Sequence, residues 1–174
     1  MVHGLGEHSG RYAQWADWLN QAGYSVLSYD LRGHGKSGGL RGHVTSFDEY
    51  LRDTDSLFLE VKNRFPNSAC FLYGHSLGAI IACDYVLTRK PQFAGVVLSA
   101  LSIKTALQEQ KGKVLLAKVI GSILPKFTMD SGLDPMTISR DREIVSRYVH
   151  DSLVHHKVTV GFGNSSISTI DWIN

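Results

Sequence analysis

The sequence predicts an α/β fold in which a parallel sheet carries helices on both faces. Over the first hundred residues, apolar segments rich in β-forming residues alternate with segments of helical periodicity. Glycine-rich turns follow three of the apolar segments, and after Ala100 only helical segments are predicted. Such alternation is typical of parallel sheets, because two parallel strands need a long crossover connection that is usually a helix.

Seven elements are predicted before Ala100. In the first helix Trp15, Trp18 and Leu19 recur at helical spacing, and Gly23 suits its end. In order, the predicted elements are a strand ending at Val2, a helix over 12–22, a buried strand over 24–29, a helix over 46–65, a strand over 69–73, a helix over 77–89 and a buried strand over 93–100.

The part of the chain after Ala100 is predicted to be a helical cap followed by a return helix. Helical segments are predicted over 114–124, 141–150 and 166–174, with Ser139 as the cap of the second, and no strand is predicted. We therefore expect three parts: the first part of the core over 1–100, the cap over 101–157, and the start of the return helix over 158–174.

Composition fits a soluble globular protein of one domain with an insertion. The 174 residues are 43% apolar and 20% charged, with a formal net charge of +2. This charge is small and no basic cluster with interleaved aromatics occurs, so nucleic acid is not an expected partner. The two cysteines, Cys70 and Cys83, are predicted to be small buried residues in a reducing compartment. With no signal peptide or membrane-spanning segment predicted, a cytoplasmic location is expected.

The pentapeptide Gly74-His75-Ser76-Leu77-Gly78 has the G-x-S-x-G form of a nucleophile elbow. It lies between a predicted strand and a predicted helix, which is the context that the motif requires. The glycines are expected for steric reasons, since a Cβ at either position would crowd the tight turn. The pattern predicts covalent catalysis by serine, and a plain glycine-rich turn is the alternative.

Three loops are predicted to meet at one edge of the sheet. The segment His3-Gly4-Leu5, Asp30 and Ser76 each follow a predicted strand. Chemistry in open parallel sheets takes place at the carboxyl ends of the strands. These residues are therefore the candidates for a site.

Three segments resemble the monoacylglycerol lipase and lysophospholipase group of α/β-hydrolases. They are VHGLGEHSGRY at 2–12, DLRGHGKS at 30–37, and YGHSLG at 73–78; the later segments SRD at 139–141 and DSLVH at 151–155 resemble the cap of that group. The resemblance covers nearly the whole chain in the same order. It implies a partial α/β-hydrolase fold, with a helical cap inserted into the parallel sheet.

The resemblance also implies a reaction and its residues. A monoacylglycerol or lysophospholipid ester would be hydrolysed through an acyl-enzyme on Ser76. The backbone N–H groups of Leu5 and Leu77 would form the oxyanion hole. The side chains of His3 and His75 would hold the loop and the elbow, and no cofactor or metal is implied. The supporting residues would be His3, Gly4, Gly74, His75 and Gly78.

The sequence departs from the pattern of the group in the other two triad residues. There the acid and the histidine follow strands beyond the cap, and no such strand is predicted here. Asp134 and His155 have the right order, but no strand end presents them. The chain is therefore expected to be an internal piece with a nucleophile and an oxyanion hole, and with weak or no activity. Exposed apolar surface is expected to make it poorly soluble alone.

Four alternatives remain open. A non-catalytic protein that binds lipids or partners is one, and among enzymes a lysophospholipase, a carboxylesterase or a serine aminopeptidase are the others. The helix at 114–124 either touches a membrane peripherally as a lid or only covers the pocket. His150, His155 and His156 are surface histidines rather than metal ligands, because their spacing is a weak ligand pattern. Gly33 and Gly35 lack the spacing of a phosphate-binding loop.

Overall fold

The computed structural model describes residues 1–103 and 120–174 and centres on a small parallel sheet. Strands β1 (Phe71–His75) and β2 (Gly95–Ser99) pair in parallel along their whole length, with the last residues of both strands opposite each other. On the other side of β1, Val2 forms a parallel bridge to Gly74. The strand that the sequence predicts to end at Val2 therefore lies beside the elbow strand.

The segment 24–29 lies on the far side of Val2. The Met1 ammonium donates to the carbonyl oxygen of Leu27 over 2.8 Å. The order across the sheet is therefore 24–29, Val2, β1 and β2. All three loops predicted to carry the site follow these segments, and they leave the sheet at the same edge.

Helices cover both faces of the sheet, as the alternating pattern predicts. Leu72 of β1 is buried in a core that includes Tyr50 and Ile81. On the opposite face Tyr73 packs against Trp15, with their ring centroids 4.6 Å apart. The described helices are α1 (Ala13–Gln21), α2 (Asp48–Arg64), α3 (Leu77–Arg89), α4 (Arg142–Val149) and α5 (Val160–Ile173).

The predicted buried strands are less regular and more exposed than expected. No strand forms over 24–29, because in the described chain this segment is bonded to the sheet by a single contact, from Met1 to Leu27. Tyr24 in this segment is 55% exposed. Strand β2 forms, but Val97 is 53% exposed, because β2 pairs only with β1 in the described chain. Cys70 and Cys83 are half-buried rather than buried.

The prediction that no strand follows Ala100 is wrong. Strands β3 (Thr128–Asp130) and β4 (Lys157–Thr159) form an antiparallel ribbon. Each strand has three residues, which is too short for an alternating pattern to stand out in the sequence. The pairing joins segments about thirty residues apart, so local propensity did not indicate it.

The helices after Ala100 begin at other residues than predicted. Helix α4 is capped by Asp141, whose Oδ1 accepts from the N–H of Glu143 over 2.8 Å, and not by Ser139. Helix α5 begins at Val160 rather than near residue 166, with Thr159 as its cap. Residues 120–123 are helical, and the rest of the predicted 114–124 helix lies outside the described residues.

Candidate active site

Ser76 occupies a strained turn between β1 and α3. Its backbone has φ 52° and ψ −115°, which a residue with a Cβ rarely adopts. The carbonyl oxygen of Ser76 accepts from the N–H groups of Ala79 and Ile80 at 2.9 and 3.2 Å. The turn is thus held by the first bonds of α3, and Ser76 stands at the carboxyl end of the sheet.

Close backbone approach explains the two glycines of the pentapeptide. A Cβ on Gly74 would meet the carbonyl oxygen of Gly78 and lie 2.8 Å from the nitrogen of Ala79. A Cβ on Gly78 would meet the carbonyl oxygen of Val2 and lie 2.6 Å from that of His3. Strand, elbow and first loop are therefore packed backbone against backbone.

The loop after Val2 lies directly against Ser76. A Cβ on Gly4 would lie 3.3 Å from Cβ of Ser76 and 3.4 Å from Cδ2 of His75. The N–H of Gly4 donates to Oε1 of Glu7 over 2.7 Å, and the hydroxyl of Tyr12 donates to the same oxygen over 2.6 Å. A buried carboxylate thus fixes the shape of this loop.

Two backbone N–H groups beside Ser76 have no hydrogen-bond partner within residues 1–103 and 120–174. They belong to Leu5, in the first loop, and to Leu77, the first residue of α3. The N–H of Ser76 itself is engaged by the carbonyl oxygen of Ser99 at 2.9 Å. The N-terminus of α3 adds a partial positive charge. Both N–H groups are therefore available to donate to an acceptor outside the described chain.

His3 joins the first loop to the loop that contains Asp30. Its Nε2 accepts from the N–H of Leu31 over 2.9 Å, so the proton is on Nδ1, which donates to the carbonyl oxygen of Gly4 over 2.8 Å. Burial lowers the pKa of His3, which keeps the ring neutral. Both nitrogens are engaged, so His3 holds the loop.

Asp30 organises its own loop and does not point to Ser76. It accepts from the backbone N–H of Ser9 over 2.8 Å and from that of Lys36 over 2.7 Å. Burial acts to raise the pKa of Asp30, but hydrogen bonds from Ser9 and Lys36 outweigh it and the pKa is lowered. The carboxylate is therefore a fixed acceptor that joins two glycine-rich loops.

None of the eight histidines, all of which lie in the described parts of the chain, hydrogen-bonds the hydroxyl of Ser76. His155 donates from Nε2 to Gly33 and accepts at Nδ1 from Lys157. Asp134 accepts from the N–H of Met136 over 2.9 Å. Asp134 and His155 are therefore bonded to other residues, and they form no triad with Ser76.

Sequence reasoning missed two polar contacts around the elbow. Glu7 lies within the segment 2–12, and its bonds to Gly4 and Tyr12 reveal a role that the sequence pattern does not indicate. Ser99 contacts both His75 and Ser76, across the β1–β2 pair. Its position at the end of a predicted strand was the available signal.

Two cavities lie apart from the elbow, and the described residues form no metal site and no membrane-spanning helix. Two cavities of about 670 and 480 Å³ lie against α5 and against α2, and neither includes Ser76. Within the described ranges no cluster of His, Cys, Asp or Glu could hold a metal ion. No helix in those ranges has the length and apolar content needed to cross a membrane.

A family model described as serine aminopeptidase, S33, matches residues 1–174. The chain belongs to this hydrolase family. The crystal structure of the monoacylglycerol lipase of Paleococcus ferrophilus is similar, with a TM-score of 0.87 and 40% identity over 99% of this chain and 65% of that one. The prediction of an α/β-hydrolase fold is thus confirmed.

Two curated relatives show the range of the similarity. Monoglyceride lipase of Homo sapiens is 36% identical over 153 residues, which are 87% of this chain and 50% of that protein. A phospholipase of Bacillus subtilis is 31% identical over 172 residues, which are 98% of this chain and 66% of that protein. The S33-family chain spans less than two thirds of the length of each. The similarity to monoglyceride lipases and to a phospholipase was predicted from the motifs.

Proposed function

We propose that this S33-family chain is a serine hydrolase that cleaves lipid esters through an acyl-enzyme on Ser76. The observation that carries the proposal is the strained backbone of Ser76 at the elbow, beside the unpartnered N–H groups of Leu5 and Leu77. Enzymes of this fold use such an elbow to expose a serine nucleophile. The names of the relatives support a lipid ester as substrate.

In the proposed reaction, Oγ of Ser76 attacks the ester carbonyl carbon, and the carbonyl oxygen becomes an oxyanion. The N–H groups of Leu5 and Leu77 donate to this oxyanion, and each donor stabilises the transition state by about 3 kcal/mol. The bond to the alcohol then breaks, and the alcohol leaves with the proton of the serine. Water attacks the acyl-enzyme, releases the fatty acid and restores Ser76.

The proton of Ser76 needs a base, and this requirement sets the expected rate. None of the eight histidines is bonded to its hydroxyl. A site with an oxyanion hole but no base retains roughly 10³–10⁴-fold catalysis over water. We propose that the 174-residue chain alone hydrolyses esters weakly or not at all, while Ser76 still reacts with an activated phosphonate. A non-catalytic protein that binds lipids or partners is the second candidate, favoured by the same observation.

We propose the division into a core over 1–100, a cap over 101–157 and a return helix over 158–174. Over residues 120–140 of the cap, seven large apolar side chains are at least 40% exposed. Such a surface suits peripheral contact with lipid. The seven are Ile123, Leu124, Phe127, Met129, Leu133, Met136 and Ile138.

The free thiols of Cys70 and Cys83 support a cytoplasmic location.

A substrate panel tests the proposal and its alternatives. The wild-type chain and Ser76→Ala would be incubated with a monoacylglycerol, a lysophosphatidylcholine, a short p-nitrophenyl ester and an aminoacyl p-nitroanilide. We expect slow release of fatty acid from a lipid ester by the wild type alone. Release from the anilide alone would favour an aminopeptidase. Equal rates for both proteins would contradict catalysis by Ser76.

A further inference from the structure

The end of strand β2 contacts both residues at the centre of the elbow. The carbonyl oxygen of Ser99 accepts from the N–H of Ser76 over 2.9 Å, and Oγ of Ser99 lies 3.1 Å from Nδ1 of His75. His75 and Ser99 are also partners in the last register position of the β1–β2 pair. One residue outside the pentapeptide therefore holds both the amide of the nucleophile and the ring that precedes it.

The held ring of His75 lies between Ser99 and the first loop. Its Cδ2 would lie 3.4 Å from a Cβ placed on Gly4, so it packs closely against that loop. The ring centroid of Tyr12 lies 6.5 Å from that of His75, in an edge-on arrangement. A rotation of His75 would therefore disturb the loop that presents the N–H of Leu5.

The residue after Ser99, like Ser76, has a positive φ angle. Ala100 has φ +52°, and Ser76 has φ +52° as well. Residues with a Cβ rarely adopt this region. Two strained residues thus lie at the ends of two paired strands, with the contacts of Ser99 between them.

We propose that Ser99 is a positioning residue, whose hydroxyl sets the ring of His75 and through it the loop that carries Leu5. The inference rests on the proposed role of Ser76 as nucleophile. The hydroxyl of Ser99 touches no reacting atom, so its effect passes through His75 and Gly4.

Three variants separate positioning from general stability. Ser99→Ala removes the hydroxyl but keeps the backbone acceptor for Ser76, and Ser99→Thr restores a hydroxyl. Val97→Ala is the matched control, because it lies on the same strand with its side chain 53% exposed. Each variant would be checked by circular dichroism and a thermal melt before its other measurements.

Two readouts are needed, and the first is the rate at which a fluorophosphonate probe labels Ser76. A hydrogen bond of ordinary net strength corresponds to about a fivefold change in rate. We expect labelling about fivefold slower in Ser99→Ala, and close to the wild-type rate in Ser99→Thr and Val97→Ala. The second readout is the imidazole ¹⁵N signal of His75, which we expect to shift in Ser99→Ala only.

The outcomes distinguish this inference from the proposed function. An unlabelled wild-type chain would overturn both. A labelled wild type with an equal rate in Ser99→Ala would overturn the role of Ser99 alone. An unshifted His75 signal in a folded Ser99→Ala protein would also overturn it, because the hydroxyl would then not hold the ring. A lower melting temperature of Ser99→Ala with an unchanged labelling rate would mean that the hydroxyl only stabilises the fold, which contradicts the proposal.

Discussion

Nε2 of His155 donates to the carbonyl oxygen of Gly33 over 3.0 Å, and the backbone N–H of the same histidine donates to that of Gly6 over 2.9 Å. One residue after α4 is therefore bonded to two of the loops around the candidate site. Nearby, Nε2 of His8 lies 2.8 Å from Oδ2 of Asp151. The segment after α4 is thus fastened to the loops at the edge of the sheet.

Replacement of His155 should loosen this attachment. His155→Ala removes the side-chain bond to Gly33, and we expect a loss of about 1–2 kcal/mol in the free energy of unfolding. Urea denaturation followed by tryptophan fluorescence measures it. His150→Ala is the matched control, since in the described part of the chain that exposed ring bonds only to Ser146, and the change should cost less than about 0.5 kcal/mol. Equal losses would contradict the special role of His155.

Acid should destabilise the fold before its carboxylates titrate. Burial, with contributions from His3, His155 and Arg41, lowers the pKa of His34 from 6.5 to about 3, although a bond to the carbonyl of Arg32 acts to raise it. The folded state thus prefers neutral His34. The contribution of this preference to the free energy of unfolding is complete above pH 6.5 and is lost as the pH falls toward 3. His34 alone should make the free energy of unfolding fall between pH 6.5 and 4.5, with a slope approaching about 1.4 kcal/mol per pH unit.

Urea midpoints measured at several pH values test this slope. Burial also lowers the pKa values of His3 and His155, so these rings act in the same direction as His34. His34→Gln removes one titrating group and should flatten the curve above pH 4.5. A wild-type curve that is flat or rises toward acid would show that the ring of His34 is not buried as described.

An elbow glycine and a half-buried helical glycine should differ sharply in how well they tolerate replacement by alanine. Gly78→Ala places a Cβ against the carbonyl oxygens of Val2 and His3, and we expect a loss above about 2 kcal/mol, because backbone cannot move aside cheaply. Within residues 1–103 and 120–174, no atom lies within 4 Å of a Cβ added at Gly163 in α5, and Gly163→Ala should stabilise by about 0.5–1 kcal/mol. Thermal melts of both variants measure the contrast. Similar melting temperatures would rule out the close packing.

The exposed apolar face of the sheet should limit the solubility of the 174-residue chain. Val97 and Phe71 are 53% and 55% exposed on β2 and β1. Exposed apolar strands promote association through unpaired edges. Val97→Thr keeps a β-branched side chain and should raise the soluble yield, with little change in melting temperature. Sedimentation and light scattering measure it, and an unchanged yield would mean that this face does not drive association.

The sequence predicted the fold where local patterns decide it. The helix stripe of α2, the apolar run of β1 and the G-x-S-x-G turn each fix their element within a few residues. The sequence predicts less well the elements that form only when another segment pairs with them. A strand forms only if a neighbour pairs with it, and the 24–29 segment shows that an apolar, β-forming segment alone is insufficient.

The candidate site was predictable in position and not in its contacts. The motifs brought His3, Leu5 and Ser76 together because the carboxyl ends of parallel strands share one edge. No local pattern encodes the contact between Ser99 and His75, which depends on the register of β1 and β2. The same is true of His155, whose two bonds join residues more than a hundred positions apart.

The central claim is that Ser76 is a nucleophile, and intact-protein mass spectrometry tests it most directly. The wild-type chain and Ser76→Ala would be treated with a fluorophosphonate, and the modified peptide would be identified after digestion. We expect one phosphonate adduct on Ser76 in the wild type and none in Ser76→Ala. A folded wild-type chain without an adduct, or an adduct that persists in Ser76→Ala, would contradict the claim.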